Sequence, residues 1–164
     1  MRKFRPIVIA ICGLCLPMTG SAEEAMTVQL KRLSLPTATT MAQAAVKACE
    51  QEGIQIGVTV VDRNGIPQVV LRNTVAPPIT LPISRDKAYA AVMFNVPTSQ
   101  LADRANTPIG RVPGVVMSPG AVPVQVGGNL LGAIGVSGAP SGETDEMCAQ
   151  AGLDAVIDDL EMAE

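Results

Sequence analysis

Apolar and polar positions alternate along this chain in two rhythms, one helical and one extended, with proline and glycine marking the changes. Ser34-Leu35-Pro36 opens a helix in which Met41, Ala45 and Cys49 recur every four residues beside small Ala42, Ala44 and Ala48, until Gly53 supplies the stop. Ile54 to Asp62 is rich in Ile and Val and reads as a strand; Asn64-Gly65 signals a hairpin, and Val69 to Arg72 return as its partner. Three prolines between Ala76 and Pro82 predict an extended loop, since proline fixes φ and donates no backbone hydrogen bond. Ser84 then reads as the cap of a helix over 85–94, with Tyr89, Val92, Met93 and Val96 on one side, and Ser99 as the start of a short helix reaching about Ala105. Val115-Val116-Met117, Val122 to Val126 and Leu130 to Val136 are the remaining strand candidates. A final helix beginning at Glu143 or Thr144 carries Ala149, Leu153, Val156 and Leu160 as an apolar stripe.

Two valine-rich hairpins separated by helices predict one α+β domain of the profilin-like kind, a single antiparallel sheet of about five strands flanked by helices. The second hairpin turns at Gly127-Gly128-Asn129, and its return strand carries Gly132 and Gly135. Glycine inside a strand removes bulk where a ligand or another backbone comes close. The spacing is therefore read as a bare sheet face, either for close helix packing or for a flat ligand.

The amino terminus changes the picture of where this domain works. Arg2, Lys3 and Arg5 precede an apolar run from Ile7 to Leu16, and Gly20-Ser21-Ala22 provides small residues before Glu23-Glu24. That succession predicts a signal peptide over 1–22, a polar lead over 23–33 and a periplasmic or secreted domain over 34–160. Cys12 and Cys15 lack the small-residue setting of a lipid anchor, and no later apolar stretch reaches the ~20 residues of a membrane span. Cleavage would leave nine basic residues against 15 acidic ones. With one Tyr, two Phe and no Trp, the acidic domain is no nucleic-acid binder. The late acids, Asp145-Glu146 and Asp154 to Glu164, read as a solvated helix face.

Histidine is absent, which excludes Ser-His-Asp and Cys-His catalysis and His-ligated zinc. Cys49 and Cys148, on the first and last helices, are either a disulfide between neighbouring helices or two buried thiols. No phosphate-cradling glycine motif is present. Ser84, Arg85, Asp86 and Lys87 remain as a helix start that would attract an anion, or as an ordinary capped first turn. The expected class is a binding protein rather than an enzyme, with no catalytic residue assigned.

VTVVDRNGIPQVVLR, PISRDKAYAAVMF and SPGAVPVQVGGNLLGAIGVSGAPSGETDEMCAQAGLDAV occur in that order, and over about residues 34–160 the chain resembles the GlcG/HbpS family, described as haem-binding or haem-degrading. The resemblance implies the profilin-like fold, homo-oligomers and haem or a related tetrapyrrole as the small-molecule ligand, with a role in haem turnover or sensing. It places a pocket on Ser84, Lys87, Gly120 and Pro123; with Arg85, Tyr89, Gly132 and Gly135 these are the candidate binding residues. Without histidine, axial donors to haem iron would be Tyr89, Lys87, Met41, Met93 or Met117. Arg85 and Lys87 would meet the propionates, and the Asn64-Gly65 turn, with Arg63, is expected to be remote from the ligand. The competing expectation is a non-catalytic accessory subunit or small-anion binder, serving a periplasmic oxidoreductase or uptake system.

Overall fold

The computed structural model describes residues 25–163, so the expected signal peptide lies outside the described residues. Helix α1, Leu35–Gln51, begins where Ser34 Oγ accepts a hydrogen bond from the Thr37 N–H at 3.3 Å. Strands β1, Gly57–Asp62, and β2, Pro67–Arg72, form the first hairpin; β3, Ala121–Val126, and β4, Asn129–Ser137, form the second. All pairings are antiparallel, in the order β2-β1-β4-β3, so β1 and β4 are central. The turns use the predicted chemistry: Gly127 and Gly128 take φ of 55° and 78°, and Gly65 takes 79°.

The sheet has four strands, not about five. Residues 115–117 form no strand; Met117 instead packs with Ala90 and Leu101 behind helix α2, Thr80–Phe94, and that burial accounts for the apolar run. Helix α2 starts four residues before Ser84. Pro82 falls in its first turn, where a missing N–H is no loss, so the prolines mark a helix start as well as a loop. The predicted helix after Pro97 is a 3-10 segment, Thr98–Arg104. The last helix is interrupted: α3, Gly142–Asp154, gives way at Ala155–Val156 to the short α4, Ile157–Met162. Its predicted stripe holds regardless, with Ala149 and Val156 buried and Leu153 and Leu160 packed against the same core.

That main core joins α1 and α3 to one face of the sheet, through Met41, Ala45, Val58, Val60, Val124, Ile134 and Val136. Cys49 and Cys148 sit within it as a disulfide, Cα atoms 5.6 Å apart, on two helices sharing a face as expected. Helix α2 covers the opposite face, through Ala88, Ala91 and Val92 against Val61, Ala121 and Ala133. Side chains this small bring the helix axis close to the strands, which fixes where its outward residues stand.

Candidate functional site

Helix α2 has an inner and an outer side, and the candidate residues divide between them. On the inner side a Cβ added to Gly135 would lie 2.2 Å from the Ser84 carbonyl oxygen and 2.7 Å from the Ala88 nitrogen, so helix backbone occupies the space the glycine leaves. Gly132 faces the other way: its Cβ would lie 3.3 Å from Leu33 and 2.3 Å from the Val61 carbonyl oxygen. The two glycines therefore do not strip one face of the sheet, because residues three apart in a strand point to opposite sides. Ser84 is not an exposed cap. It is fully buried, its hydroxyl sharing a hydrogen bond with Thr59 Oγ1 at 2.9 Å and donating to the Leu81 carbonyl at 3.0 Å.

Lys87 is likewise withdrawn from solvent, two turns into the helix instead of at its start. Its Nζ donates to Asp145 Oδ2 at 2.8 Å and to the Val136 carbonyl at 3.2 Å. Asp145 Oδ1 accepts the Ala139 N–H at 2.9 Å, so one ion pair ties α2, β4 and α3 together. Burial pushes the Asp145 carboxyl above its ordinary range, while the Lys87 ammonium and the Ala139 N–H work against that shift. Gly120, at φ 137°, has no room for a side chain: a Cβ would lie 2.4 Å from Lys87 Nζ. Pro123 lies on the edge strand β3, where its missing N–H costs no internal sheet bond.

The acidic pair read as solvated is thus structural. Asp145 is buried, and Glu146 accepts hydrogen bonds from the Ser99 N–H and hydroxyl, the Thr98 hydroxyl and the Gly120 N–H. Neither role is visible in an Asp-Glu dipeptide near a helix start.

On the outer side of α2, Arg85, Asp86 and Tyr89 line a cleft of about 270 Å³ closed by Gly65, Pro113 and Gly114. Arg85 Nη2 lies 2.8 Å from Asp86 Oδ1, its side chain half exposed, and the Asp86 carbonyl accepts the Val116 N–H, holding the 113–116 loop against the helix. Tyr89 rests on the first hairpin turn: a Cβ on Gly65 would meet its ring Cδ2 at 2.5 Å and the Met93 Cε at 3.3 Å. The Asn64-Gly65 turn is therefore a wall of this cleft and not remote from it. The folded chain brings together Arg85 and Tyr89 here, and Lys87 with Gly120 in the interior; Pro123 and Gly132 join neither group. The sequence marks Gly65 as a turn former only, because nothing in its local spacing signals the approach of α2.

Among the described residues no group of three or more His, Cys, Asp or Glu could hold a metal ion, and no helix is long and apolar enough to cross a membrane. Residues 33–154 match the model of the family described as haem degrading protein HbpS-like. A double mutant of Streptomyces reticuli HbpS is similar in structure at a TM-score of 0.77 and 37% identity, over 92% of this chain and 99% of that one. A PduOC:haem complex is similar at a TM-score of 0.70 and 27% identity, over 76% of this chain and 94% of the other. An uncharacterised 15.0 kDa protein of Citrobacter freundii, from the dhaT-dhaS intergenic region, is 30% identical over 134 residues, 77% of this chain and 93% of that protein. By its sequence from the first helix to the third, and by the sheet and helices built from it, the chain belongs to the GlcG/HbpS family.

Proposed function

We propose that this is an exported haem-binding protein, serving haem turnover or sensing, with its ligand against the outer face of α2. The observation that carries the reading is the likeness to a chain solved with haem, 94% of which this chain covers. Haem needs an iron donor, a cation for its propionates and a flat wall, and the outer cleft offers Tyr89, Arg85 and the side-chain-poor Gly65 and Gly114. When bound, haem would contribute a redox-active iron; the residues of the chain would seat it and screen it from water. Export is supported by the basic, apolar and small-residue succession at the amino terminus, and by a disulfide of the kind that persists in oxidising compartments.

The cleft volume, about 270 Å³, lies below the roughly 300–1,000 Å³ usual for ligand pockets. A protomer would grip part of the macrocycle, with a second copy of the chain covering the rest in a homo-oligomer. The same volume favours the competing reading, in which Arg85 holds a smaller anion in an accessory subunit for a periplasmic partner. Titration of ferric haem into the protein, followed by its main absorbance band, separates the two. Saturable binding is expected, weakened about tenfold in Arg85→Glu, the loss of one charge-assisted contact. A titration without saturation would overturn the haem reading and leave the small-anion one.

A further inference from the structure

The sequence nominates five donors to haem iron, Tyr89, Lys87, Met41, Met93 and Met117, and the fold separates them. Met41 and Met117 are enclosed in the cores, and Lys87 spends its donors on Asp145 and Val136. Tyr89 and Met93 remain, one turn apart on the outer side of α2, with Arg85 one turn before them. We propose that Tyr89 is the iron ligand, an inference that rests on the haem-binding reading above.

Three observations favour the tyrosine. Its ring is seated, not free: Gly65 lies directly beneath it and the Met93 methyl beside that seat, so its orientation is set before any ligand arrives. Its phenol makes no hydrogen bond to any described residue, although it borders the cleft. The oxygen is also the harder donor. Ferric iron, the form expected in an oxidising compartment, takes a phenolate more readily than the soft thioether of Met93, and tyrosine is an established haem ligand in other folds. Tyr89 would hold the iron through its phenolate oxygen, releasing the phenolic proton to solvent. Arg85 is placed one helical turn away, where it would meet a propionate.

The test compares ferric haem with iron-free protoporphyrin on the full exported chain, its Tyr89→Phe variant and its Tyr89→His variant, with circular dichroism to check folding. Tyr89→Phe should bind the iron-free porphyrin within about twofold of the parent and ferric haem about tenfold or more weakly. The phenolate-to-iron vibrations in the resonance Raman spectrum of the parent should be absent from it. Tyr89→His should bind ferric haem again, with an imidazole-type spectrum, and decides the matter if the Phe variant is poorly folded. Parent-like ferric affinity and spectrum in either variant would overturn the ligand assignment while leaving haem binding intact. Failure of the parent to bind ferric haem would instead remove the reading beneath it.

Discussion

At the scale of single residues, the buried charges are paired: Asp62 with Arg32, and Lys87 with Asp145. Lys87 and Asp145 are buried together, and a buried pair of this kind is worth little against apolar residues of similar size but costs much when halved. Asp145→Ala should therefore destabilise the fold by about 3–5 kcal/mol in a urea titration, and Lys87→Met combined with Asp145→Leu should recover most of that loss. The pH dependence has a definite sign. With its carboxyl raised by burial, the folded state keeps the Asp145 proton to higher pH than the unfolded chain does. Its contribution is full below the ordinary carboxylate range and declines as pH rises through the raised value, a slope the double variant should lack. Arg85 differs in kind, because its neighbour Asp86 leaves it half exposed at the cleft.

At the scale of elements, the governing contact is helix α2 on strand β4. Gly135→Ala should cost about 1–3 kcal/mol, because the new methyl meets helix backbone and not a side chain that could turn away; thermal unfolding measures it. A variant as stable as the parent would mean that α2 lies further from the sheet. This contact also explains what was legible beforehand. The hairpins, α1 and the stripe of the last helices were legible because periodicity and turn glycines act locally. The start of α2 was not, since prolines permitted in a first turn look like prolines that forbid a helix. The site was half legible. Tyr89 and Arg85 were named, but Ser84 and Lys87 belong to the inside of the same helix, and only the tilt of α2 over small residues decides which side faces out. Gly65 as a wall depends on residues 24 positions apart meeting in space, which no local pattern encodes.

At the scale of the whole molecule, a disulfide joins the first and third helices across 99 residues of chain, and the chain-entropy account gives it about 4–5 kcal/mol of stabilisation. It lies on the face of the sheet away from α2, and so apart from the cleft lined by Arg85 and Tyr89. On the proposed reading, haem sits on the outer face of α2 and not between that helix and the sheet. Hydrogen exchange of the backbone, measured with and without equimolar ferric haem, tests this most directly. Slower exchange is predicted at 62–66, 85–93 and 113–116, with little change in β3 and β4. Protection confined to 121–137, or none in any segment, would contradict it.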